Sequence, residues 1–388
     1  LLGKTRSSDM PGQRLTVTGD RRGSKQGGRA MPKIRAVLVF GAVAVATSVC
    51  AAGTADAQFY KGRTLNVIIN YGAGGNTDIQ GRALMRHMEK YIEGKPRIVI
   101  RNMAGAGGAV GANYMGQAAP KDGTTMGVFT TPWVTEAAGS KAITVSLLDL
   151  DYVGAIGQDQ ISHMRKDALP GTDPFDILKV TKVFKSAGHA PASSKDLSIN
   201  LTLKLLGIKH QHVSGFKAAS DIRRAILQNE VQYTEDSLTG YFGRVVATLI
   251  EPGISIPLFH YGELQEDDSI TRSNRVPKGL PTFLEVYQKK NGAGSKPSGL
   301  DWEVYKKLVG SRAILRTIVM PKGAPKEALA ALREAWAKTT KDKEYLAEYQ
   351  KTNKSELEAK VGDAAQKAIT RLLKMPPEVK AHFAALSK

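Results

Sequence analysis

Residues 59–88 read FYKGRTLNVIINYGAGGNTDIQGRALMRHM. Thr64–Asn70 is apolar and β-branched, the pattern of a buried strand. A glycine-rich turn follows. From Thr77 to Ile92 the apolar residues Ile79, Ala83, Leu84, Met88, Tyr91 and Ile92 recur at helical spacing. Strand, glycine turn and helix make the first part of a βαβ unit, and the pattern repeats along the chain. Arg97–Arg101, Thr125–Thr130 and Tyr152–Ile156 read as strands, with a small-residue helix over Gly108–Ala119 that Pro120 stops. In the middle, Thr181–Lys185, His210–Ser214, Val231–Thr234 and Ile254–His260 read as strands. Helices over Lys195–Leu206, Lys217–Asn229 and Leu238–Ala247 separate them. The remainder is helical at Asp301–Val309, Pro325–Thr339, Asp342–Thr352, Gly362–Lys374 and Pro377–Ser387, with one strand at Ala313–Val319. Residues 262–280 and 291–300 are polar and read as surface loops. Alternating βα units predict an α/β fold with parallel sheets and right-handed crossovers.

The 388 residues suit about two domains, and 42% hydrophobic content can fill real cores. The formal net charge is +19, from 55 Lys and Arg against 36 Asp and Glu. These basic residues are scattered along helices, and no zinc-finger or RNP signature accompanies them, so nucleic acid is not the expected partner. A basic field favours small anionic solutes. A single cysteine excludes an intramolecular disulfide and a cysteine-rich zinc module. No solenoid or propeller repeat is visible.

Residues 1–30 are polar and basic without apolar periodicity, and are read as a segment upstream of a start at Met31. From Met31 the pattern is that of a secretory signal. Lys33 and Arg35 form the charged region, Ala36–Val49 the apolar run, and Ala55-Asp56-Ala57 the small-residue cleavage site. The apolar run is too short to span a bilayer. Val49 precedes Cys50 where a lipoprotein signal places a small residue. The expectation is a periplasmic protein released by cleavage after Ala57.

No GxxxxGK[ST], HExxH, GxSxG or CxxC motif is present, so no catalytic constellation can be assembled. His210 and His212 share a strand face but have no third ligand, so no metal site is expected. Two loops are more informative: Tyr71-Gly72-Ala73-Gly74-Gly75-Asn76-Thr77-Asp78 and Ser186-Ala187-Gly188-His189-Ala190-Pro191-Ala192-Ser193. Each joins a strand to a helix and offers backbone N–H groups at a helix N-terminus, where an anion binds. Glycine lets a ligand approach the backbone closely. Tyr71 and Phe216 lie beside these loops as candidate flanks for an apolar ligand body. A third stretch, Gly105 to Gly111, is spaced GxGxxxG rather than as a dinucleotide fingerprint, so no nucleotide cofactor is expected. One exposed helix N-terminus contributes about 0.3–1 kcal/mol to anion binding, whereas micromolar affinity needs about 8 kcal/mol. One loop cannot suffice, so both loops must share the task with several charge-assisted hydrogen bonds.

The ordered motifs Gly74-Gly75-Asn76-Thr77-Asp78, Asn102-Met103-Ala104-Gly105-Ala106-Gly107-Gly108 and Ala119-Pro120-Lys121-Asp122-Gly123 resemble those of the substrate-binding receptors of tripartite tricarboxylate transporters, the Bug receptors. The resemblance covers nearly all of 59–375. Leu280-Pro281-Thr282-Phe283 and Met320-Pro321-Lys322-Gly323-Ala324-Pro325 match late segments of that family. The chain departs from it at Val213-Ser214-Gly215-Phe216-Lys217, where the family reads Val-Pro-Tyr-Lys-Gly, and lacks the prolines of the family's first loop. The resemblance implies an α/β, two-lobed periplasmic binding protein of type II, the Venus-flytrap form, with two crossover strands. It implies a first lobe from 58–157 and 253–388, the latter carrying the C-terminal helices, and a second lobe from 158–252, after an upstream and signal segment of 1–57. The candidate ligand contacts are Tyr71, Gly72, Ala73, Gly74, Gly75, Thr77 and Asp78; Thr130 and Thr131; Ala187, Gly188, His189, Ala190 and Ser193; and Asp236. The expected ligand is a small organic anion, a carboxylate, held without cofactor or metal by a monomeric receptor that delivers it to a two-subunit membrane permease. The alternatives are a receptor feeding a sensor kinase and an exported α/β enzyme.

Overall fold

The computed structural model describes residues 59–388; the upstream segment and the signal peptide expected over Met31–Ala57 lie outside the described residues. In chain order the first elements are β1 (Thr64–Ile69), α1 (Asn76–Met88), β2 (Arg97–Asn102), α2 (Ala109–Gln117), β3 (Thr125–Thr130), α3 (Pro132–Ala137) and β4 (Leu150–Gly157). Then come β5 (Gln160–Arg165), β6 (Phe184–Ala187), α4 (Ser194–Leu205), β7 (His210–Val213), α5 (Ala219–Leu227), β8 (Tyr233–Ser237) and α6 (Leu238–Gly240), which continues as a π-wound helix over Tyr241–Ile250. The rest is β9 (Ser255–His260), β10 (Glu263–Leu264), β11 (Ile270–Thr271), α7 (Phe283–Asn291), α8 (Gly299–Gly310), β12 (Arg316–Pro321), α9 (Lys326–Thr339), α10 (Lys343–Asn353), β13 (Glu358–Val361), α11 (Asp363–Leu373) and α12 (Pro377–Ala385).

These strands form two main sheets, ordered β13-β4-β12-β3-β1-β2 and β7-β6-β8-β5-β9. Each keeps a parallel βαβ centre: β1 runs parallel to β2 and β3, and β6 parallel to β7 and β8. The expectation of wholly parallel sheets is corrected at one side of each. β12 pairs antiparallel with β3 and β4, and β5 antiparallel with β8 and β9. The cause is the crossing. Only Gln158 and Asp159 separate β4 from β5, so the chain passes straight from one sheet into the other. The return passes alongside, with Gln158 N–H donating to the Arg312 carbonyl at 2.9 Å. The fold is thus the expected two-lobed α/β class with two crossings. Ser255–His260, assigned by sequence to the returning part of the first lobe, pairs with β5 in the second sheet.

Six elements escaped the sequence reading, two of them the short strands β10 and β11 within the 262–280 stretch read as a loop. β5 is buried yet carries Gln160, Ser162 and His163, so hydropathy hides it. β13 is four half-buried residues at a sheet edge, and α3 is a six-residue helix. α7 starts with a reciprocal cap between Thr282 and Glu285, a spacing legible in the sequence as a capping box. On one face of the first sheet, Leu65, Val67, Ile69, Leu84, Met88 and Trp336 are fully buried beneath α1 and α9. This fixes β1 rigidly, so the turn after it is held at the boundary between lobes. Among the described residues no helix is long and apolar enough to cross a membrane.

Candidate functional site

The loop after β1 makes its turn with Gly74 at φ +71°, a left-handed conformation that favours glycine. Its amides are largely engaged. Gly75 N–H donates to the Gly72 carbonyl at 3.2 Å, and Gly74 N–H to Asp78 Oδ2 at 2.9 Å. Gly72 N–H donates across to the Lys217 carbonyl at 3.0 Å. Gly75 caps α1 without a side-chain bond, so the first-turn amides of Asn76 and Thr77 retain their donors. Thr77 Oγ1 lies 2.6 Å from Thr130 Oγ1.

The loop after β6 repeats the design. His189 and Ala190 N–H groups donate to Asp196 Oδ2 at 2.6 and 3.2 Å, and Ser193 Oγ joins them. Gly188 N–H goes to the Val213 carbonyl at 2.9 Å. A Cβ on Gly188 would sit 2.3 Å from the Asp196 carboxylate. The glycine here makes room for an aspartate rather than for a ligand. Burial works to raise the Asp196 pKa, but bonds from His212, Ser193 and Ser214 outweigh it and hold the carboxylate below its usual range. The expectation that these loops present bare amides is therefore corrected. The aspartate at the third residue of each helix takes the loop donors, and the free ones lie in the first helical turns, at Asn76-Thr77 and Ser194-Lys195.

Those two turns face one cavity of about 40 Å³, room for about three waters. Of the candidate contacts read from sequence, Tyr71, Gly75, Thr77, Thr130, Thr131 and His189 line it. Gly72, Ala73, Gly74, Asp78, Ala187, Gly188, Ala190, Ser193 and Asp236 do not. Phe216 packs into an apolar cluster of the second lobe, and its carbonyl faces His189 Nδ1 at 2.8 Å. Asn76, Gln160, Ser194, Lys195, Ala219, Ser237 and Arg316 also line the cavity. Sequence reasoning missed them, although Ser194 and Lys195 directly follow the second loop and were reachable by the same helix N-terminus argument.

The third glycine stretch braces both loops. Tyr71 Oη donates to the Gly107 carbonyl at 2.9 Å, a Cβ on Gly107 would lie 3.0 Å from Ser193 Cβ, and one on Gly108 would lie 2.4 Å from Asn70 Nδ2. Asp236 ties the lobes together: it accepts from Asn76 Nδ2 at 2.7 Å and pairs with Arg223 at 3.0 Å, and His163 lies at 3.3 Å. Burial opposes its charge, but Lys195 and Arg223 prevail and hold it far below the usual carboxylate range.

The cavity wall is cationic. Lys195 is 6% exposed, and its Nζ donates to the Glu235 carbonyl and to Thr234 Oγ1. Arg316 is 2% exposed. His189 lies edge-on to Tyr71 with ring centroids 4.8 Å apart. Desolvation, reinforced by Lys195, pulls its pKa down to about 4, so it is neutral at pH 7. Its Nδ1 donates to Phe216, leaving Nε2 as an acceptor. Behind the wall, burial pushes Glu235 up to about 7 against the pull of Arg312 and Lys195. Elsewhere His87, Asp342 and Glu344 come together in the spacing of metal ligands. The Lys90 ammonium stands among them, 3.3 Å from Asp342, so the cluster reads as an ion-pair network.

No family model matches the chain. A protein of Cupriavidus necator described as "UPF0065 protein in gbd 5'region" is 26% identical over 268 residues, covering 66% of this chain and 75% of that one. Protein BugT of Bordetella pertussis is 32% identical over 96 residues, 25% of this chain and 28% of its own. Among solved structures, the periplasmic binding protein BugD matches with a TM-score of 0.65 at 17% identity, over 84% of this chain and 98% of its own. MatC from Rhodopseudomonas palustris, solved with bound malate, matches at 0.61 with 18% identity, over 84% and 99%. The fold is that of a two-lobed periplasmic binding protein. Within that class, the relatives it matches in sequence and fold include the Bug proteins BugT and BugD.

Proposed function

We propose that this protein is a periplasmic receptor that closes its two lobes on an organic carboxylate and delivers it to the two-subunit permease of a tripartite tricarboxylate-type transporter. One observation carries the reading. The free first turns of α1 and α4, one from each lobe, meet at a single cavity whose wall also holds Lys195 and Arg316. An anion there gains two helix N-termini and charge-assisted hydrogen bonds at once. Neither term alone reaches the roughly 8 kcal/mol of a micromolar complex. Malate bound to MatC supports the ligand class. The residues expected to touch the ligand are Tyr71, Asn76, Thr77, Thr130, Thr131, His189, Ser194, Lys195 and Arg316.

Calorimetry with malate, adipate and benzoate, against glucose as a neutral control, tests this. Micromolar binding of at least one acid and none of glucose is expected; binding of glucose alone defeats it. Gly75→Val sharpens the test. Gly75 has φ −77°, which valine adopts without strain, but its Cβ would stand 3.1 Å from the Gly72 carbonyl and 3.3 Å from Ala218 Cβ in the facing lobe. Circular dichroism should be unchanged while carboxylate binding is lost. Intact-mass measurement after expression in a Gram-negative host should give a soluble product beginning near Gln58.

A further inference from the structure

Arg316 is the first residue of β12, where the chain re-enters the first sheet. Three other buried arginines have acids beside them: Arg223 lies 3.0 Å from Asp236, Arg312 lies 3.7 Å from Glu235, and Arg275 pairs with Glu358. Arg316 differs. Nη2 donates to Ser237 Oγ at 3.2 Å, while Nε and Nη1 are buried with no acceptor among the described residues. Burial pulls its pKa down to about 10, so the guanidinium is charged at neutral pH. A buried, hydrogen-bond-deficient guanidinium lining a cavity is a destabilising element unless something else accepts its donors. The planar fork suits an oxyanion, carboxylate above all.

We propose that Arg316 is the ligand's anchor: its free N–H groups pair directly with a carboxylate of the bound solute, and this ion pair, more than the loop amides, sets the preference for anions. The inference rests on the receptor reading and deepens it. The loop amides are already engaged by Asp78 and Asp196, so a ligand carboxylate has first-turn amides and Arg316 to turn to. Lys195 supplies the opposing charge from the second lobe, with its ammonium already committed to Glu235 and Thr234. That leaves Lys195 one N–H, whereas Arg316 keeps Nε and Nη1 unpaired, so among the described residues lining the cavity Arg316 has the most donors to give.

The experiment compares the parent with Arg316→Met and Arg316→Lys. Three readings are taken: ligand-free melting temperature, calorimetry with malate and adipate, and the melting shift produced by sulfate against chloride at equal ionic strength. Arg316→Met should melt at or above the parent temperature, because an uncompensated buried charge is gone. Its affinity for whichever acid the parent binds should fall roughly 10- to 100-fold, the loss expected for hydrogen bonds to a charged group. Its sulfate shift should vanish. Arg316→Lys keeps the charge without the fork and should fall between. A parental affinity and sulfate shift in Arg316→Met, or a ligand-free melting temperature well below the parent with binding retained in Arg316→Lys, overturns the anchor and makes Arg316 a structural cation. The two readings fail separately. A parent that binds neither acid yet shows a sulfate shift that Arg316→Met abolishes counts against the receptor reading and keeps the anchor. A parent whose acid binding survives Arg316→Met does the reverse.

Discussion

The loops leading into α1 and α4 carry an aspartate at the same place, the third residue of the helix, and bury it to different depths. Asp78 receives one loop amide, from Gly74, and is completed by Asn102 Nδ2 at 3.0 Å and by Arg82 at 2.8 Å. That arginine is 42% exposed, so water shares its work. Asp196 is fully buried and receives two loop amides, two serine hydroxyls and His212 Nε2 at 2.8 Å. Both aspartates close their loop on itself and leave the following helical turn for the ligand. The difference is in what would replace them. Solvent readily reaches Gly74 and Arg82 around Asp78, whereas the donors around Asp196 are more numerous and half-buried, so water replaces the carboxylate less completely there.

Replacing Asp196 by alanine should therefore have the largest effect. It leaves half-buried donors on His189, Ala190, Ser214 and His212 without their acceptor, a cost of about 2–4 kcal/mol. Urea denaturation measures it. A loss no greater than that of Asp78→Ala would break the comparison, because burial would then not be what distinguishes the loops.

Much of this arrangement was legible in the sequence. The strand-turn-helix of 64–88 and the ordered motifs up to Gly123 identified the fold, because apolar periodicity and glycine turns are local signals. The meeting of the loops at residues 71–78 and 187–193 followed from topology. What was not legible depends on long-range geometry. Arg316 reads in sequence as one more basic residue, within the strand expected at Ala313–Val319. Its isolation from any acid arises only when β12 slots between β3 and β4. Asp78 and Asp196 look like helix-start residues, and they are. Whether their carboxylates turn outward to a ligand or back over the loop is set by side-chain contacts that no spacing encodes. β5 was missed for a related reason: its polar residues are buried with partners on other strands, as His163 is with Asp236.

The second lobe also holds the acid whose protonation follows pH most directly. Burial raises Glu235 from 4.5 to about 7 against the pull of Arg312 and Lys195. Between these two values the folded state binds more protons than the unfolded one, so stability falls as pH rises through the window. About 3 kcal/mol of stability present below pH 4.5 is lost by pH 7. His189 contributes in the opposite sense. Its pKa is lowered from 6.5 to about 4, so its share is present above pH 6.5 and lost as pH falls through that interval. Subtracting the curve of Glu235→Gln from that of the parent isolates the acid. The difference should slope between about pH 4.5 and 7 and be flat above. A flat difference throughout would mean that Arg312, 3.7 Å away, keeps Glu235 ionised.

Asp78→Ala should have the smallest effect of the three, and it is the control that gives the first its meaning. Gly74, whose amide Asp78 accepts, is exposed, and so is much of Arg82. Both find water when the carboxylate goes. Asn102 keeps its second bond, from Nδ2 to the Tyr71 carbonyl at 2.8 Å, so it stays in place. What is lost is an ion pair with an exposed partner, worth at most about 1 kcal/mol, and one partly buried hydrogen bond of about 1 kcal/mol. The expected destabilisation in urea is about 1–2 kcal/mol. The freed Gly74 amide faces solvent rather than the cavity lining, so carboxylate affinity should change by less than about threefold. A tenfold or greater loss of affinity with the fold intact would place Asp78 in contact with the ligand, through a water or a ligand hydroxyl, and the two loops would then differ in function as well as in depth.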